Sequence, residues 1–109
     1  MADAYKRLAQ TSSAAAGPTT IYTATAVTAI VKKIVLANNS GSAGTIKLHH
    51  VESGGSADAT TVILPTTSME NNEHGTDDAP FVMEAGDFLQ MEADATNAIT
   101  VQVYGLEIS

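Results

Sequence analysis

The sequence predicts an all-β chain: a single antiparallel β-sandwich, jelly-roll-like, over residues 19–109, preceded by an extended N-terminal arm over residues 1–18. Three observations carry this expectation. Leu89, Met91 and Ala93, and then Ile99, Val101 and Val103, alternate with polar residues at the period of a half-buried strand. Short β-branched runs are separated at short spacing by Gly, Asn, Ser and Asp, the residues that make turns. No apolar pattern of helical period runs long enough to nucleate a packed helix.

In chain order, residues 1–20 hold a short charged and apolar element (Tyr5, Lys6, Arg7, Leu8), then Thr, Ser and Ala, closed by Gly17-Pro18. Leu8 is too isolated to organise a core helix, so the segment reads as an arm. Ile21-Tyr22-Thr23 begins the first strand, and residues 27–37 form the next. Its tract of both-parity apolar residues from Ile34 to Ala37 calls for cover on two faces or a subunit contact. Lys32-Lys33 in its middle demands an edge, an interface, or a bulge that turns both cations outward. After a loop at residues 38–44, residues 45–51 read as a strand with Ile46, Leu48 and His50 on one face and Lys47, His49 and Val51 on the other. A turn at residues 52–57 leads to a strand over 60–64, with Pro65 marking an edge or an end.

Residues 68–79 are polar and acidic and read as the longest exposed loop. Phe81-Val82-Met83 leads back into order. Ala85-Gly86-Asp87 is a turn signal, and a reversal at Thr96-Asn97 makes the last two strands a hairpin. Gly105 breaks the alternation, so Leu106 and Ile108 take the opposite parity, as at a bulge or a close backbone approach. Seven or eight strands result.

The composition narrows the function classes. At 109 residues the chain supports one core, built from aliphatic residues, since it has two Phe, three Tyr and no Trp. No apolar run is long enough to span a bilayer, and the first 20 residues lack a signal-peptide core, so a soluble protein made in a cytoplasm is expected. Without Cys there is no disulfide framework and no thiol nucleophile. All five basic residues precede position 48, and eleven of the twelve acids follow position 51, for a net charge of −7. An acidic chain with few aromatic residues argues against nucleic acid as partner, because phosphates need clustered cations. It suits a basic segment that meets an acidic neighbour.

Chemistry has few places to reside. His49 and His50 point to opposite faces of a strand and cannot chelate one ion together; one of them with His74 and a carboxylate is the remaining metal arrangement. Glu70, Glu73, Asp77 and Asp78 lack EF-hand spacing, which leaves at most a weak Ca²⁺ site in a loop that is more often simply solvated. No serine sits in a nucleophile elbow, and Gly54-Gly55 opens no phosphate-binding helix. The expectation is a protein that is not an enzyme and takes no metal or other cofactor.

Several stretches together resemble small tailed-phage virion proteins: YKRLAQ at the start, TIYTAT, AIVKKIVLANNSGSAGTIKLHHV, and MEAGDFLQMEADATNAITVQVYGLEIS at the close. The resemblance covers nearly the whole chain. It departs from the family pattern at Lys32-Lys33, where small polar residues are usual, and across residues 69–78. It implies a virion structural component, assembled in the host bacterial cytoplasm. The first expectation is a capsid decoration (cement) protein that oligomerises, as a trimer, on the head shell; the second is a tail or neck appendage with a host-surface role. Partner-binding residues are then Tyr5, Lys6, Arg7 and Leu8 of the arm with Lys32 and Lys33. The major capsid protein or another virion protein is the partner, with no role for nucleic acid or membrane.

Overall fold

The computed structural model describes residues 6–12, 18–78, 80–94 and 99–108. They form nine strands and no helix: β1 (Lys6–Ser12), β2 (Thr19–Thr23), β3 (Thr28–Asn38), β4 (Gly44–Val51), β5 (Val62–Met69), β6 (His74–Asp77), β7 (Phe81–Met83), β8 (Phe88–Ala93) and β9 (Ile99–Ile108). Two antiparallel sheets result. One runs β1-β9-β3-β6, with β7 following β6 along the same edge of β3; the other runs β2-β8-β4-β5. Their inner faces share one core in a sandwich-like arrangement. Val31, Ile34, Val101 and Val103 from the first sheet, and Ile46, Leu48, Leu89 and Met91 from the second, are essentially solvent-free.

The alternation that named these strands decides what they bury. In β9, Ile99, Val101, Val103 and Gly105 are buried, while Thr100, Gln102, Tyr104 and Leu106 are only half so. In β3 the pattern resets at Lys32 and Lys33, which are both exposed between buried Val31 and Ile34. The cause is a bulge: Val31 pairs with Gly105 and Lys33 with Tyr104, so Lys32 is the extra residue. One of the outcomes expected for the two lysines is therefore realised, but the additional residue lies on β3, opposite Gly105. Gly105 itself supplies the close approach, since a Cβ there would stand 2.0 Å from the Ile30 carbonyl oxygen.

Three expectations are corrected. β8 and β9 do not form a hairpin, because β8 pairs with β2 and β4 while β9 pairs with β1 and β3 in the opposite sheet. The turn expected at Thr96-Asn97 lies outside the described residues. Residues 68–79 are not one loop: Met69 is buried at the end of β5, and β6 pairs with β3 from Ile34↔Asp77 to Ala37↔His74. The stretch expected to be an extended arm includes β1, which pairs with β9, and its Leu8 and Ala9 pack against the core. Pro65 does sit on an edge strand, β5, where register shifts accommodate its missing donor.

Buried polar groups hold the connections. Asn38, 1% exposed, donates from Nδ2 to the carbonyls of Ser42 and Met69, both at 2.9 Å, and accepts from Ser40 N at 3.0 Å. It thereby pins the β3–β4 turn to the end of β5.

Candidate partner-binding face

The register of the five-stranded sheet brings the cations together. A second bulge, at Leu8 in β1, falls beside the first: Arg7 pairs with Tyr104, whereas Ala9 pairs with Val103. Tyr104 thus has Arg7 as cross-strand neighbour on one side and Lys33 on the other. Cross-strand partners share a face. All three lie on the outer face, with Lys32 exposed beside them. The Tyr104 hydroxyl donates to Gln102 Oε1 on the same face. The Lys33 ammonium is 4.0 Å from the Asp78 carboxylate, and neither Arg7 nor Lys32 has an ion pair among the described residues.

Along the strands from this row the outer face turns apolar. Ile30 of β3 has Leu106 and Val82 as its two cross-strand partners. Ile108, two residues on from Leu106 and opposite Thr28, continues the patch. Val82 is 53% exposed and Ile108 38%, an unusual state for aliphatic residues gathered on one sheet face. In the other direction the face is mostly polar, with Gln10, Gln102, Thr76, Thr100 and His74 around Val35 and Ala37.

The residues named from the sequence divide. Arg7, Lys32 and Lys33 converge on this face. Lys6 is engaged elsewhere: its Nζ is 2.8 Å from Glu107, whose other oxygen accepts the Tyr22 hydroxyl at 2.5 Å and so ties β1 and β9 to β2. Its bonds to Lys6 and then Tyr22 hold the Glu107 carboxyl below its usual range, and burial followed by the Glu107 bond pushes the Tyr22 phenol up. Leu8 faces the chain's own core, and Tyr5 lies outside the described residues. Tyr104, Ile30, Leu106, Val82 and Ile108 were not singled out as partner-binding. Their signal was the change of apolar parity at Gly105: the strand's own alternation runs on through the glycine and leaves Leu106 and Ile108 outward.

No family model, curated protein or solved structure matches the chain.

The histidines do other things. His49 and His50 do point to opposite faces, opposite Gln90 and Leu89 respectively. His49 is buried beneath the β4–β5 connection, with Nδ1 2.8 Å from Thr61 Oγ1. That hydroxyl also lies 3.0 Å from the Asp58 carbonyl. Nε2 faces Glu92 at 3.6 Å without a hydrogen bond. His50 donates from Nε2 to Asp87 at 3.0 Å, and its ring packs on Phe81. Asp87 also accepts the backbone N–H groups of Ser53 and Glu84. Burial raises its carboxyl, but these three donors together hold it below the ordinary value. An open concavity of about 700 Å³ lies over this pair, lined by Ser53, Thr61, Val82 and Glu84 among others. The pair ties the loop after β4 to the turn before β8. His74 is exposed on the outer face of β6, and no three His, Asp or Glu side chains of the described residues converge as metal ligands.

Proposed function

We propose that this chain is a bacteriophage virion structural protein, a capsid decoration protein that associates on the head shell through sheet faces and strengthens it without catalysis. The sandwich-like fold is then of jelly-roll type, and Tyr5 is among the residues that bind the major capsid protein. One observation supports the reading above the others: adjacent bulges in β1 and β3 align Arg7, Lys32 and Lys33 around Tyr104, beside an exposed apolar patch. Such a face, with an apolar patch beside a row of cations, has the chemistry of protein association. A protein that binds the assembled shell better than its parts stabilises it by mass action.

Quantitative mass spectrometry of purified particles of the encoding phage tests the proposal. Hundreds of copies per particle, lost together with resistance of the heads to heat or chelator when the gene is deleted, is the expected result. Tens of copies would point instead to a tail or neck part, and absence from the particle would overturn the reading.

A further inference from the structure

We propose that the outer face of the β1-β9-β3-β6 sheet is covered by a second copy of this chain, the two related by a two-fold axis running parallel to the strands between β9 and β3. This rests on the reading of that face as an association face and names its occupant. Cyclic trimers join unlike surfaces, whereas a two-fold contact needs a patch complementary to itself. The row at the bulges has that property. Across the strands it reads Arg7, Tyr104, Lys33, Asp78, a cation at one end and an anion at the other.

Turning a second copy over about the proposed axis places each β1 position opposite β6 or β7 and each β9 position opposite β3. Arg7 then meets the second copy's Asp78, and Lys33 lies over its Tyr104 ring, the geometry in which a cation is attracted to an aromatic face. In the next row Ile30 meets Leu106. The strands of the two sheets run in nearly the same direction, the aligned mode of sheet packing. The face measures about 19 Å across its four strand columns and about 30 Å along β9. Its roughly 570 Å² in projection, enlarged by side-chain relief, approaches the roughly 800 Å² per partner of a standard interface.

Sedimentation equilibrium of the intact chain at micromolar concentration is the test. Twice the chain mass of 11.2 kDa is expected, and a monomer or trimer overturns the proposal. Val82→Arg and Val82→Ser, at a position already exposed, should keep the circular dichroism of the parent yet weaken the dimer, the arginine by more than about tenfold. Arg7→Glu and Asp78→Arg should each weaken it by about tenfold, and the two changes together should restore most of the loss. A double variant no tighter than the single ones would rule out this register. Decoration is scored separately by cosedimentation with heads: a monomer that still decorates refutes the two-fold contact alone, and a dimer that never binds heads refutes the virion role alone.

Discussion

Replacing Gly105 with alanine should be among the most damaging single-methyl changes available to this chain. The added Cβ would stand 2.0 Å from the Ile30 carbonyl oxygen, 3.0 Å from its carbon and 3.1 Å from the Val31 Cα, against 3.4 Å or more in an ordinary contact. All three atoms are backbone, so no side chain can rotate away. β9 and β3 must part by more than an ångström where they meet at the bulge. Overpacking of that kind costs about 1–3 kcal/mol, and weakening one or two ladder hydrogen bonds adds about 1 kcal/mol each. A total near 3 kcal/mol is a large part of the roughly 5–15 kcal/mol that holds such a domain together. At about 4–8 °C per kcal/mol the melting temperature should drop by roughly 15 °C. Thermal and urea unfolding followed by circular dichroism would measure it, with Gly75→Ala as control, since a Cβ at Gly75 meets nothing within 4 Å. The reasoning fails if both variants melt within about 3 °C of the parent, the range of an ordinary surface change.

Other expectations concern the buried polar groups. Asn38→Ala removes two donors from the Ser42 and Met69 carbonyls and should cost about 2–4 kcal/mol in urea unfolding; a loss below about 0.5 kcal/mol would mean that water replaces the amide. Asp87 and Glu107 carry folded-state carboxyls below their ordinary range, so each binds fewer protons folded than unfolded. Their stabilisation is complete above about pH 4 and fades as the pH falls through the folded values, so Asp87→Asn should flatten the acid limb of a stability–pH curve. Tyr22 behaves in the opposite sense: with its phenol pushed up, its contribution is complete below about pH 10 and lost as the pH climbs through the folded value. Tyr22→Phe should therefore soften the alkaline decline, and the parent should retain one phenol that ionises late by its absorbance near the red edge of the tyrosine band. An unchanged alkaline limb would show that the Tyr22–Glu107 bond contributes nothing.

Strand identity was legible wherever a single face is buried. β4, β8 and the first part of β9 could be read from alternation, and β3 from its β-branched run, because burial on one side imposes period 2 on the residues themselves. Pairing was less legible. The link from β8 to β9 looks like a hairpin because local sequence records where a chain turns and carries nothing about which sheet it enters next. β6 was hidden for a different reason. His74, Thr76 and Asp77 lie on an edge strand where one face is solvent and the inner positions include Gly75, so no apolar signal remains. The same logic explains the candidate face. Lys32 and Lys33 stood out as a pair that needed a bulge, but only the register reveals that Leu8 bulges next to them and brings Arg7 to Tyr104. β1 was read as an arm since Leu8 and Ala9 offer too little apolar surface to announce a strand; the core that receives them is built from residues far along the chain.

The place of β9 between β1 and β3 has a consequence for how the protein is made. Among the described strands, β1 leaves the ribosome before the other eight, and the strand that satisfies its backbone leaves after them. At about 5–20 residues per second, on the order of ten seconds pass between the two, and during that time β3 too lacks the neighbour that fills one of its edges. Nascent chains of this topology close late and are slow to fold, because the pairing that completes the sheet joins residues about ninety positions apart. In that interval Lys6, Arg7, Gln10 and Ser12 keep β1 charged and polar, the composition that discourages a waiting strand from joining the wrong chain.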